Sequence, residues 1–266
     1  MNELALFAGA GGGILGGKLL GWRTVCAVEY EPHAAAILVK RQNDGILQPF
    51  PIWDDVRTFN GKPWQGRVDV VSGGFPCQDI SVAGKGAGIN GQQSGLWKEM
   101  ARVICEVRPK FAFVENSPLL TQRGLSVVLG DLAEMGYDAQ WGVLGHDSAG
   151  GQQKRERIWI VAHSDKGSFL DVGECKTKNI QFGKKKVGRI NWINFRVATG
   201  RVAPSEWECR GSGLNSRPLF VRKSDGLADG LDRLARIGNG QVPAVVRLAW
   251  KMLAPQSINQ LGSQNE

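Results

Sequence analysis

Leu4-Ala5-Leu6-Phe7-Ala8-Gly9-Ala10-Gly11-Gly12-Gly13 reads as a buried strand, Leu4–Ala8, running into a glycine-rich turn. A helix to about Leu20 follows, then a second apolar run, Thr24–Glu29, which closes on an acid. Glycines in such a turn let the backbone approach a ligand, and the helix start favours partial negative charge. An acid that closes the next strand can hydrogen-bond ribose hydroxyls. The spacing suits a nicotinamide dinucleotide and S-adenosylmethionine alike, and glycine turns that bind nothing share it. Tyr30 offers a flat face to an adenine ring, or else is a core aromatic.

Outward from this unit the alternation continues. Pro32–Arg41 is expected as a helix with proline at its start. Asp69–Ser72 reads as a strand ending in a Gly73-Gly74 bend, and Leu96–Val107 as a helix with Leu96, Met100, Val103, Ile104 and Val107 at helical spacing. Phe111–Val114, Ala139–Leu144 and Arg157–Ala162 complete the strands, and Leu125–Met135 adds a helix. Strand–helix units of roughly 30 residues predict an α/β domain with a mostly parallel sheet. After His163 the pattern changes. The segment 164–220 carries eleven lysines and arginines against five acids, and so holds +6 of the net +8. By composition alone it is an ordinary surface insertion. Periodicity returns over Leu227–Ile237 and, past Gly238-Asn239-Gly240, over Val242–Leu253; the polar residues after Ala254 read as a tail. Two domains are expected: 1–163, completed by 238–266, and 164–237.

At 42% apolar the chain can bury a core, which excludes global disorder. No apolar run approaches the roughly 18 residues of a membrane span, and Met1-Asn2-Glu3 lacks the features of a signal peptide. A cytoplasmic location without membrane association is expected. Cys26, Cys77, Cys105, Cys175 and Cys209 are odd in number, widely spaced and without a CxxC pair, so neither a disulfide scaffold nor a zinc or other metal site is expected. The net charge and a pI of about 9.4 permit a nucleic-acid partner.

Val71-Ser72-Gly73-Gly74-Phe75-Pro76-Cys77-Gln78 carries the sharpest signal. A cysteine after a strand, two glycines and a proline falls at the C-terminal end of the sheet, where α/β sites form. There a thiol serves as a nucleophile if its surroundings lower its pKa; the bland alternative is a small buried side chain. Gly84, Gly86, Gly88, Gly91 and Gly95 follow before the next helix begins, as in a lid. Glu115, ending a strand, is a candidate general acid or a solvated strand-end acid. Arg155 and Arg157 alternate along an extended segment, so both guanidiniums face one side. The alternative is a solvated charge run.

Taken in order, Phe7–Gly13, Glu29, Asp55-Val56, Gly73–Gln78 with Ser81, Glu115-Asn116, Gln153-x-Arg155-x-Arg157 and Gly238-Asn239 resemble the DNA cytosine-5 methyltransferase family, in its small bacterial or phage branch. The resemblance covers nearly the whole chain. It implies a Rossmann-like methyltransferase sheet, S-adenosylmethionine as cofactor with S-adenosylhomocysteine as product, and no metal. Phe7, Gly9, Gly11, Glu29, Val56 and Pro76 would hold the cofactor, with Tyr30 stacking on adenine, Asp55 reading its amino group and Asn239 near its methionine end. Cys77 would attack carbon 6 of a flipped-out cytosine. Glu115 would bond ring nitrogen 3 and the amino group, while Arg155 and Arg157 would hold the pocket and the cytosine carbonyl. Gln78 and Ser81 would face DNA. Residues 164–237 become a small target-recognition domain, in which Lys184, Lys185 and Lys186 are phosphate contacts or a solvated run.

Three positions depart from the family pattern: Ser117-Pro118 after Glu-Asn, Gln152 where proline is usual, and Ala5 where an aspartate is common. The partner implied is double-stranded DNA, with a monomeric enzyme and a cognate restriction endonuclease as a further partner. Three rival readings remain at this point. They are a transfer-RNA methyltransferase of the same family, a nicotinamide-dependent oxidoreductase, which leaves Pro76-Cys77-Gln78 unexplained, and a catalytically silent DNA-binding protein.

Overall fold

The apolar runs become the strands of one seven-stranded sheet, in a computed structural model that describes residues 1–76, 96–151, 155–164 and 240–255. In chain order these residues form β1 (Asn2–Leu6), α1 (Gly12–Leu19), β2 (Arg23–Val28), α2 (Pro32–Asn43), β3 (Ile52–Trp53) and β4 (Val70–Gly74). Then come α3 (Leu96–Val107), β5 (Phe111–Asn116), α4 (Leu120–Arg123), α5 (Leu125–Glu134), β6 (Asp138–Leu144), β7 (Arg157–His163) and α6 (Pro243–Leu253). The order across the sheet is β3-β2-β1-β4-β5-β7-β6. The first five strands are parallel, and β7 runs antiparallel to both β5 and β6. Strand order reverses between β1 and β4, which opens a crevice at the carboxyl ends of those strands.

Two faces follow from the period of two along each strand. Leu4, Leu6, Val71, Ala112, Val114, Ile158 and Ile160 pack with α3 and α5. The alternate residues Val70, Phe111, Phe113, Trp159 and Val161 pack with Trp22 and with Val245, Val246, Ala249, Trp250 and Leu253 of α6. Trp250 lies edge-on to Trp22, Phe111 and Phe113, with ring centroids 4.7–5.5 Å apart. Offset and edge-on geometry of this kind adds to the simple burial of aromatic area. The chain therefore returns through α6 to finish the core begun by the strands up to His163.

Local signals act as expected at several ends. Pro32 opens α2, whose first turn is capped by Glu31 accepting from the backbone N–H of Ala34 at 2.8 Å. The Gly73-Gly74 bend is corrected. Both glycines are the last residues of β4, paired with Val114 and Glu115 of β5. Glycine is needed there for close approach: a Cβ on Gly73 would press on the Leu6 carbonyl at 2.6 Å. The short strand β3 and the reversal of β7 are not announced by the sequence. The expected lid over 84–95, helix over 227–237 and tail lie outside the described residues. Among the described residues no helix is long and apolar enough to cross a membrane.

Candidate active site

The carboxyl edge of the sheet gathers groups that lie far apart in sequence. The antiparallel strand β7 begins at the edge where the parallel strands end, so Arg157 stands beside the ends of β4 and β5. Glu115 follows Phe111 and Phe113 on the face covered by α6, and is 8% exposed. Its Oε1 pairs with Arg157 Nε at 3.0 Å, and its Oε2 accepts from Gln241 Nε2 at 3.3 Å. Burial pushes the Glu115 carboxyl above its ordinary pKa, against the opposing pull of Arg157, Gln241 and Arg155. A buried acid flanked by two guanidiniums keeps a proton to higher pH than a solvated one, yet its anion has partners ready. Such a group can hold or give up a proton at a ring nitrogen.

The neighbouring backbone is fixed in the same place. Asn116 Nδ2 donates to the Phe75 carbonyl at 3.0 Å, and its Oδ1 accepts from Ser117 N–H at 2.7 Å. Phe75 is buried against Trp97, whose Nε1 donates to Asp131 at 2.7 Å. The segment that leads through Pro76 to Cys77 is thus tied to the end of β5. Arg155 donates through Nη2 to the Gly240 carbonyl and so ties the start of β7 to the returning segment.

The glycine turn and its surroundings form the other half of the edge. Gly11 stands before α1 with φ +85°, a left-handed conformation that favours glycine, and no side chain caps the helix start. Glu29 accepts the Gly9 N–H at 2.6 Å on Oε2 and the Glu31 N–H at 2.9 Å on Oε1. It therefore joins the turn to the end of β2. A carboxylate oxygen carries two lone pairs and can accept more than one hydrogen bond. Tyr30 is 71% exposed, which settles its alternatives against a core aromatic. Arg57 lies 5.6 Å over the ring centroid. Asp55 is held by Arg57 through Nε at 2.9 Å and Nη2 at 2.7 Å, hydrogen bonds that lower its pKa. Val56 is buried, and its carbonyl accepts from Arg102 Nη2 at 2.7 Å, so its side chain is not offered to a ligand. Phe7 adopts φ +52° and packs its partly buried ring on the core. An anion-compatible helix start, a carboxylate at ribose distance along the chain and an exposed aromatic face fit an adenosine-bearing cofactor.

Comparison with known proteins decides the family. A model described as C-5 cytosine-specific DNA methylase matches residues 1–197. The chain belongs to this family. Type II methyltransferase M.PspPI of Psychrobacter sp. (strain TA137) is 37% identical over 261 residues, which is 92% of this chain and 60% of that protein. This chain thus spans well short of that relative's full length. Type II methyltransferase M.NgoMIV of Neisseria gonorrhoeae is 33% identical over 225 residues, 77% of this chain and 67% of that protein. The crystal structure of the S. pombe Dnmt2 methyltransferase superposes with a TM-score of 0.50 at 20% identity, covering 62% of this chain and 51% of that one. That likeness is one of fold.

Of the residues singled out from the sequence as this family's site, Glu115, Arg155 and Arg157 come together at one end of β5. Phe7, Gly9, Gly11, Glu29, Tyr30, Asp55, Val56 and Pro76 lie in the turns at the carboxyl edge. Cys77, Gln78, Ser81, Lys184, Lys185, Lys186 and Asn239 lie outside the described residues. Sequence reasoning passes over Asn116 as a bridge to Phe75, Arg102 as the anchor of Val56, and Gln241. The partner of Gln241 lies 126 residues away, and no local pattern announces such a contact.

Proposed function

We propose that the protein is a DNA cytosine-5 methyltransferase that uses S-adenosylmethionine, with residues 164–237 as the part that recognises the target. The observation that carries this reading is the buried Glu115, bonded on its two oxygens by Arg157 and Gln241, beside the Phe75–Pro76 segment that leads to Cys77. The cofactor, held by the glycine turn, Glu29 and Tyr30, supplies an electrophilic methyl group. The Cys77 thiolate adds to carbon 6 of a cytosine turned out of the duplex, and the electron pair of the 5,6 double bond moves to carbon 5 and into the ring. Glu115 holds a proton at ring nitrogen 3, which takes up the developing charge. Arg157 keeps the carboxyl in place and Arg155 fixes the backbone that borders it. After carbon 5 has been alkylated, loss of its proton restores the double bond and expels Cys77.

Basic residues within 164–237, Lys184–Lys186 among them, neutralise phosphates, so binding weakens as salt rises. A monomer acting in the cytoplasm of a bacterial host, paired with a cognate endonuclease as the type II names of the relatives imply, completes the proposal.

The decisive experiment measures transfer of labelled methyl from S-adenosylmethionine to unmethylated duplex DNA, with total RNA and a Cys77→Ser variant in parallel. Label on DNA carbon 5 that disappears in the variant is expected. Label on RNA alone would move the substrate, and cofactor binding without transfer would favour a silent DNA-binding protein. Replacing Glu29 by alanine removes a charge-assisted partner of Gly9 and of the ribose. Calorimetric titration is expected to show cofactor affinity about ten- to a hundredfold weaker. An unchanged Kd would remove Glu29 from the site.

A further inference from the structure

Gln241 enters the site from the segment before α6, and three glycines on two other elements make room for it. A Cβ on Gly12 would overlap the Gln241 carbonyl oxygen and one on Gly13 its Oε1, while a Cβ on Gly74 would lie 3.0 Å from its Nε2. The amide is thereby wedged between the start of α1, which borders the cofactor crevice, and the end of β4. It donates from Nε2 to Glu115 Oε2, the oxygen opposite the one that Arg157 holds. The Arg155 bond to the Gly240 carbonyl fixes the residue just before it.

We propose that Gln241 is the positioning residue for Glu115, a further member of the site that acts through the acid and not on the base. This inference rests on the function proposed above. An amide suits the task because it serves both states of its neighbour. Nε2 donates to the ionised carboxylate, and the same group turned over accepts at Oε1 from the protonated acid. Leucine or methionine would fill the space but do neither. Among the described residues, the charged groups that face Glu115 are Arg157 and Arg155, while β4 contributes only Gly74 on that side. Gln241 is thus the neutral member of a described shell whose other polar members are cationic.

The sign of its influence is fixed. A donor to the carboxylate favours the ionised form, so its loss raises the pKa of Glu115 and extends the protonated form to higher pH. Two variants of matching shape separate this role from packing: Gln241→Met removes the donor, and Gln241→Glu replaces it with a second carboxylate. Loss of positioning is expected to lower kcat about ten- to a hundredfold in Gln241→Met, with cofactor KM within about twofold of the parent. The alkaline limb of the pH–rate profile should move upward in the order parent, Gln241→Met, Gln241→Glu. Parent-like kcat and pH profile in Gln241→Met, or a change confined to cofactor KM, would overturn the proposal. Isotope-edited NMR of side-chain carboxyls in the free protein, assigned with Glu115→Gln, reads the same contact without turnover. An upward shift of the Glu115 titration in Gln241→Met is expected, and an unmoved titration would sink the inference. A parent chain that methylates neither DNA nor RNA overturns the function instead, while the titration still decides the contact.

Discussion

On the function proposed above, Gly74→Ala is expected to lower methyl transfer about a hundredfold while the protein stays folded. Gly74 is paired with Glu115 across β4 and β5, and its missing side chain would project onto the face where the acid lies. An added Cβ would overlap Glu115 Oε2 and crowd Gln241 Nε2. The backbone has little room to give way, because β4 is hydrogen-bonded to β1 on one side and to β5 on the other. What yields is the far end of the Glu115 side chain, a movement that leaves the core packing untouched. The acid then loses its alignment with Arg157 and Gln241. Misplacement of a catalytic group by about 1 Å costs on the order of a hundredfold. Turnover measured beside a thermal melt checks this. Activity within twofold of the parent would show that the carboxyl need not sit over Gly74, and a collapsed Tm would show that the sheet, not the acid, gave way.

Glu3→Gln is expected to raise stability at pH 8 by about 2 kcal/mol and to lower it by about 1 kcal/mol near pH 4.5. Glu3 is 1% exposed inside β1, where Thr24 Oγ1 donates to it at 2.7 Å and Ser72 Oγ at 2.6 Å. Burial outweighs these two hydroxyls and pushes its pKa from 4.5 up to about 7. A folded-state pKa above the unfolded one means that the stabilising form is the protonated acid. Its contribution is complete below about pH 4.5 and is lost as the pH rises through 7. At about 1.4 kcal/mol per pH unit, the ionised side chain costs the fold about 3 kcal/mol once the pH has passed 7. Glutamine fills the same space without a charge, and gives back about 1 kcal/mol through less favourable hydrogen bonding. Denaturant titrations at the two pH values decide the matter. Equal destabilisation at both would mean that Glu3 serves as a bonded anion.

The order of strands and helices is legible because each apolar run has the period of its own element. The helix that ends at Val107, whose apolar positions repeat at helical spacing, has its end read correctly to the residue. The strand β3 escapes because so short a run carries no period. The direction of β7 escapes because residues read alike along either sense of a strand. Gly73-Gly74 reads as a bend because glycine's commonest use is conformational, whereas here its use is the absence of a side chain between two strands. Within the site, Glu115, Arg155 and Arg157 stand at strand ends, where the sequence itself marks them. Gln241 acquires its meaning only from the fold, which carries it across 126 residues to the acid.

The late arrival of α6 also has a consequence during synthesis. The described sheet is complete at His163, but the aromatic face formed by Trp22, Phe111, Phe113 and Trp159 is covered by α6, which is made only after the whole of 164–242. At about 5–20 residues per second, that face waits roughly 4–16 seconds for α6 on every chain a ribosome makes. Over that interval the aromatic side of the sheet lacks the helix that packs on it in the finished fold, an opening for chaperones or for a neighbouring copy on the same message. Yield should therefore respond to translation speed across residues 165–239, even though the finished molecule carries no trace of the delay.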